Sequence, residues 1–141
     1  MNHPAAGLRL QVAPDGAALE PTRLAVLAYL APHGLSASVV YAVELVLEEV
    51  LSNQIKYAFT DLDASTIGLS VDVDAEAIVL GFEDDGRAFD PLQAAEPAPP
   101  TSIDQARVGG LGLALVQRFA KSTRYVRAGG HNRLEVAIDR M

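Results

Sequence analysis

Four segments of this chain are predicted strands that occur as two consecutive pairs, and the residues of the first pair alternate with a period of two. Residues 67–73 and 78–82 are separated by a short turn, and residues 123–128 and 133–139 are separated by a glycine-containing turn. A period of two is typical of strands that bury one face. Strands in consecutive pairs predict hairpins, and therefore a mixed, mainly antiparallel sheet.

The remaining periodic segments predict one more strand and three helices. Residues 7–13 alternate like a strand, whereas residues 20–32, 37–59 and 111–121 have helical spacing. Ser36 is the predicted N-cap of the second helix. The predicted class is α+β, a two-layer sandwich in which helices cover one face of the sheet.

Composition restricts the function. The chain has 141 residues and no cysteine, which predicts one domain over residues 1–141 without disulfides. A net charge of -7 argues against a nucleic-acid partner. No apolar run approaches the roughly 18 residues of a membrane span, and no signal peptide opens the sequence. We therefore expect a cytoplasmic protein without membrane contact.

The second predicted helix carries two polar residues at the margin of its apolar stripe. Val43, Val46 and Val50 form that stripe, and Glu49 and Asn53 lie four residues apart beside it. A carboxylate there can accept a proton, and an amide oxygen is a suitable ligand for Mg²⁺. The alternative is an ordinary polar helix face, since Glu and Asn at this spacing are common.

Asp84 ends a row of apolar residues in the third predicted strand. Ile78, Leu80 and Phe82 share its side of the strand, so the carboxyl group is predicted to face the core. A buried carboxyl group needs a partner, and the amino group of an adenine base is one candidate. The alternative is a simple turn, since Asp85-Gly86 follows.

Glycines at 109, 110 and 112 lead into the third predicted helix. Backbone N–H groups at a helix N-terminus can bind phosphate. No Gly-Lys-Ser/Thr follows, so the segment is not a P-loop. A flexible hinge before a helix remains the alternative interpretation.

Taken together, these motifs resemble a known family, the histidine-kinase-like ATPase domains of the GHKL or Bergerat fold. The resemblance covers about residues 8–140 and is carried by 49–53, 83–91, 109–113 and 130–134. Within that family the chain resembles the small anti-sigma-factor serine/threonine kinases of bacteria. The implied ligands are ATP and Mg²⁺.

The resemblance also implies roles for individual residues. Glu49 would be the catalytic base, and Asn53 would hold Mg²⁺ and thereby the nucleotide. Asp84 and Gly86 would bind the adenine. The phosphates would be bound by the segment Gly110, Leu111, Gly112 and Leu113. Residues at about 92–109 would form an ATP lid, and Arg107 in this lid would also bind the nucleotide. Gln54 stands where the family usually has a small residue.

Three functions are compatible with this resemblance. The first is an anti-sigma factor that phosphorylates a small STAS-type antagonist in a partner-switching system. The second is an ATP-binding module that sequesters a sigma factor or another regulatory target with little or no kinase turnover. The third is an ATPase part that works with a separate sensor. Relatives of the first kind form homodimers.

Overall fold

The computed structural model describes residues 7–55, 67–85 and 116–140. Within these ranges five strands and two long helices follow one another along the chain. The strands are β1 (Leu8–Val12), β2 (Ile67–Val73), β3 (Ala77–Asp84), β4 (Ser122–Ala128) and β5 (His131–Asp139), and the helices are α1 (Leu19–Leu30) and α2 (Ala37–Asn53). Residues 116–119 are also helical. No helix in the described part of the chain is long and apolar enough to cross a bilayer.

The five strands form one sheet in the order β1-β2-β3-β5-β4. Every pairing among these described strands is antiparallel, so the mainly antiparallel sheet predicted from the sequence is confirmed. Both predicted hairpins are present, as β2-β3 and β4-β5. Strand β3 lies at the centre, which places its end between β2 and β5.

The helices cover one face of this sheet, as the sequence predicted. The apolar stripe of α2 is buried against the inward rows of β3 and β5, and Val43, Val46 and Val50 are fully inaccessible. The opposite face carries partly or fully exposed polar side chains, including the ion pair of Arg9 with Asp72. The core therefore lies between α2 and the sheet, and α1 packs on α2.

Local signals fix where α2 begins and how the first hairpin turns. Ser36 is the N-cap of α2, and its hydroxyl oxygen accepts a hydrogen bond from the Val39 N–H at 3.2 Å. At the turn between β2 and β3, Asp74 Oδ1 accepts from the N–H groups of Glu76 and Ala77 at 2.7 and 2.8 Å. These bonds give the turn N–H groups an acceptor in place of a backbone carbonyl, which is a common role of Asp side chains in turns.

The helix bounds differ from the sequence predictions at the C-terminal ends of the first and last helices, and one further predicted end is not tested. Helix α1 ends at Leu30, and a 3-10 turn continues to His33. Helix α2 ends at Asn53, and the predicted continuation to residue 59 lies mostly outside the described residues. The last predicted helix stops at residue 119, because the Lys121 N–H already donates to the Ala137 carbonyl of the sheet at 2.7 Å.

Candidate functional site

Glu49 and Asn53 lie on successive turns near the C-terminal end of α2. Glu49 is half-buried, and Asn53 is buried at 4% exposure, which agrees with its predicted place at the margin of the stripe. Asn53 Nδ2 donates to the Glu49 carbonyl at 2.9 Å. This bond fixes the amide so that Oδ1 is the atom left for a ligand, and a neutral oxygen of this kind suits Mg²⁺.

The polar face of α2, opposite the apolar stripe, is only partly exposed to solvent, although it carries charged residues. Glu48 on this face is exposed. Glu44 is half-buried, and the Arg23 side chain of α1 approaches it at 3.6 Å. The guanidinium of Arg23 also binds Glu20, and this bond lowers the pKa of Glu20. Helix α1 therefore shields part of this face.

Asp84 is buried at the end of β3, at 4% exposure, in line with Leu80 and Phe82. Each of its carboxyl oxygens accepts one side-chain amide. Gln54 Nε2 donates to Oδ2 at 2.8 Å, and Asn132 Nδ2 donates to Oδ1 at 2.8 Å. The predicted core-facing orientation is confirmed, and the carboxyl group has the partners that burial requires.

Asn132 connects Asp84 to the edge of the sheet. It pairs directly with Asp84 in the β3-β5 register and is buried at 4% exposure. Its Oδ1 accepts from the Tyr125 hydroxyl and from Arg127 Nη1, the latter at 3.2 Å. Thus both ends of the Asn132 amide are hydrogen-bonded.

Gln54 was not predicted to be a site residue, although its position could have indicated it. It follows Val50 by four residues and Leu47 by seven, and therefore continues the buried stripe of α2. It is 6% exposed, and its Oε1 has no hydrogen-bond partner among the residues that the structure describes. A polar side chain on an apolar stripe is the signal that identifies it.

A small cavity of about 10 Å³ lies where α2, β3 and β5 meet. Its lining joins apolar side chains with the polar groups just described: Val50, Gln54, Phe82, Asp84, Tyr125, Asn132 and Leu134. A larger cavity of about 440 Å³ lies on the open face of the sheet. Asp84 lines both cavities, and neither is lined by Glu49 or Asn53. We assign the candidate site to the helix-covered side because α2 carries those two residues.

Several predicted site residues lie outside the described residues. They are Gly86, Arg107, Gly110, Leu111, Gly112 and Leu113, together with the lid predicted at about 92–109. Among residues 7–55, 67–85 and 116–140, no group of three or more His, Asp or Glu side chains is placed to hold a metal. A metal at Asn53 would therefore take most of its ligands from other groups, such as phosphate oxygens.

Comparison with known proteins agrees with this arrangement. Residues 12–138 match the family described as histidine kinase-like ATPase domain. The chain is 34% identical over 99 residues to serine/threonine-protein kinase BtrW of Bordetella bronchiseptica, which is 70% of each chain.

A solved structure supports the fold. The crystal structure of the RsbU and RsbW domains of Rv1364c from Mycobacterium tuberculosis matches 98% of this chain with a TM-score of 0.69 and 15% identity. This chain spans 34% of that longer one. The sequence match and the shared fold lead to one conclusion. The chain belongs to the histidine kinase-like ATPase domain family, and membership implies ATP binding and, at the level of the family, kinase-type activity.

Proposed function

We propose that this protein is an ATP-dependent serine/threonine kinase that acts as an anti-sigma factor and phosphorylates a small STAS-type antagonist. The observation that carries the proposal is the buried Asp84 carboxyl group at the end of β3, beside the helix that bears Glu49 and Asn53. Asp84 can hydrogen-bond the base of a nucleotide, Asn53 can bind a metal ion through its amide oxygen, and Glu49 can accept a proton. These three groups are held on the adjacent elements β3 and α2.

In this proposal the nucleotide is bound at three places. Asp84 accepts a hydrogen bond from the adenine amino group, and Gly86 lets the base approach the backbone. Backbone N–H groups of the segment from Gly110 to Leu113 bind the phosphates, since a helix begins there in the sequence prediction. Arg107 supplies a positive charge near the γ-phosphate.

Asn53 is suited to coordinate Mg²⁺, because its Nδ2 is already bonded to the Glu49 carbonyl and its Oδ1 is left for the metal. When bound, Mg²⁺ offsets the charge of the phosphates, which this chain of net charge -7 does not do by itself. The amide of Asn53 orients that end of the nucleotide.

Glu49 is the base of the transfer step. It takes the proton from the serine or threonine hydroxyl of the antagonist as the oxygen attacks the γ-phosphorus. The new O–P bond forms while the bond from the γ-phosphorus to the β,γ-bridging oxygen breaks, and ADP leaves. Glu49 is only half-buried on α2.

The proposed partners rest on the relatives. BtrW is a serine/threonine-protein kinase by name, and the solved relative contains an RsbW domain. We propose that this chain likewise works as a homodimer, binds a sigma factor or another regulatory target, and releases it through an antagonist.

The kinase assignment is tested with labelled ATP and a STAS-type antagonist from the native host. Glu49→Ala should reduce phosphate transfer by about 10²- to 10⁴-fold, the range for loss of a general base, while ATP binding is retained. Glu48→Ala is the matched control, because Glu48 is the exposed neighbour on the same helix. Undiminished transfer by Glu49→Ala would refute its role. Absence of transfer by the unchanged protein, with ATP still bound, would favour the sequestering module.

The role of Asn53 is tested by calorimetry with and without a chelator of Mg²⁺. Asn53→Ala should lose the magnesium-dependent part of ATP binding, and Ser52→Ala, one residue earlier on α2, should keep it. If Asn53→Ala binds ATP with an unchanged response to the chelator, the metal assignment is wrong.

A further inference from the structure

One buried atom near Asp84 has no hydrogen-bond partner. Gln54 Oε1 is inaccessible to solvent and accepts no bond from any group that the structure describes. A buried acceptor without a donor costs free energy, because it has lost its bonds to water. Such an atom in a cavity next to a proposed ligand-binding carboxyl group indicates a ligand contact.

The orientation of the Gln54 amide follows from its neighbour. Nε2 donates to Asp84 Oδ2 at 2.8 Å. A flipped amide would set its oxygen against the carboxyl oxygen and lose this bond. Oε1 is therefore the atom that remains without a donor.

Asn132 provides the contrast within the same site. It also donates to Asp84 at 2.8 Å, but its own oxygen accepts from Tyr125 and Arg127. The two amides thus support Asp84 equally and differ in one respect. Only Gln54 brings an unsatisfied acceptor to the cavity.

The size of the cavity restricts the donor that can reach Oε1. A volume of about 10 Å³ holds a group about as large as one water molecule. An exocyclic amino group at the edge of a purine ring has that size and carries two hydrogens. One hydrogen can bond the Asp84 carboxyl group, and the other can bond Gln54 Oε1. An oxo group at the same ring position carries no hydrogen, and both acceptors would repel it.

We propose that Gln54 is a specificity-determining residue, whose Oε1 accepts the second hydrogen of the base amino group and thereby selects a 6-amino purine nucleotide. This inference rests on the ATP site proposed above. It adds a role for a residue other than Glu49, Asn53 or Asp84, at a position where the resembled family usually has a small side chain.

The test measures preference among nucleotides, because absolute affinity would also change if Gln54 only supported the site. Calorimetry compares ATP with purine riboside 5′-triphosphate, which lacks the amino group, and with inosine 5′-triphosphate, which carries an oxo group. The full chain should prefer ATP over both analogues. Gln54→Met keeps the length of the side chain and removes both amide atoms. It should lower that preference about fivefold, the effect of one hydrogen bond.

Asn132→Leu is the matched control. It also removes one amide donor from Asp84 but leaves Gln54 Oε1 in place, so the preference for ATP should change less than twofold. Circular dichroism without nucleotide shows which variants are folded, and Gln54→Leu replaces Gln54→Met if the latter does not fold.

Three results would overturn the inference. The first is an unchanged preference in a folded Gln54 variant, as expected if a water satisfies Oε1. The second is an equal loss of preference in Asn132→Leu. The third is loss of all three nucleotides together in the Gln54 variant, which would make the side chain a general support. Failure of the ATP site itself is distinguishable, because the unchanged protein would then bind none of the nucleotides.

Discussion

Two aspartates lie at opposite ends of the central strand, and the side chain of each accepts hydrogen bonds from at least two groups of the described residues. Asp74 precedes β3 and accepts from backbone N–H groups two and three residues along the chain. Asp84 ends β3 and accepts from side chains 30 and 48 residues away. Asp74 is exposed, whereas Asp84 is 4% exposed.

We propose that this difference separates a carboxyl group that serves the fold from one that serves a ligand. Backbone donors within one turn are fixed when the turn forms, and they make Asp74 a local structural group. Side-chain donors exist at Asp84 only after α2, β3 and β5 have packed together. A buried carboxyl group assembled in this way requires the whole domain and lies beside a cavity, as a binding residue does.

The largest effect that separates the two aspartates should be on nucleotide binding. Asp84→Asn should weaken ATP binding by about 100-fold, the loss of a hydrogen bond to a charged group, as measured by calorimetry. Asp74→Asn is the matched control and should leave the dissociation constant within twofold. A similar loss in both variants would contradict the division into a binding and a structural aspartate.

The next effect should be on stability. Asp84→Ala leaves the amide donors of Gln54 and Asn132 buried without an acceptor, and we expect a loss of about 2 kcal/mol in the free energy of unfolding. Urea denaturation measures this loss. The control is Asp85→Ala at the exposed neighbouring residue, where a change within about 0.5 kcal/mol is expected. Equal losses at the two positions would mean that the hydrogen-bond network contributes little.

The same contrast explains how much the sequence could predict. Alternation identified β1 and the first hairpin, because the period of two is a local property. The glycine-containing turn between residues 128 and 133 indicated the second hairpin. Parity along β3 also placed Asp84 in the core. The donors Gln54 and Asn132 were not identified as its partners, because their separation of 30 and 48 residues is bridged only by tertiary packing.

Weaker signals for these two residues were nevertheless present. Asn132 shares its side of β5 with Leu134, Val136 and Ile138, all of which are buried. Gln54 continues the stripe of α2. A polar residue in an apolar row thus indicated burial in each case, although the identity of the partner could not be derived from the row.

A third prediction concerns the turn that Asp74 closes. Asp74→Ala removes an acceptor for the N–H groups of Glu76 and Ala77. Glu76 is exposed, so its N–H group can bond water instead, whereas Ala77 is buried. We therefore expect a loss of about 1 kcal/mol in the free energy of unfolding, smaller than at Asp84. Urea denaturation checks the value, with Asp74→Asn as the control that keeps an acceptor oxygen. ATP binding that fell tenfold in Asp74→Ala would show that the turn affects the site after all.

The smallest effect should be the pH dependence of the same turn. The backbone N–H groups of Glu76 and then Ala77 hold the pKa of Asp74 below its ordinary value. The folded protein therefore binds fewer protons at this group than the unfolded chain does. The stabilisation is present above the unfolded pKa of about 3.9 and is lost as the pH falls through the lower, folded value.

Two measurements check this sign. A carbon-detected NMR titration should give Asp74 a midpoint below that of an aspartate in an unfolded peptide. The stability advantage over Asp74→Asn should be constant near neutral pH and shrink as the pH falls below about 4, because protonation removes the charge that Asn lacks at every pH. A midpoint at or above the ordinary value would mean that the two N–H groups do not act on the charge.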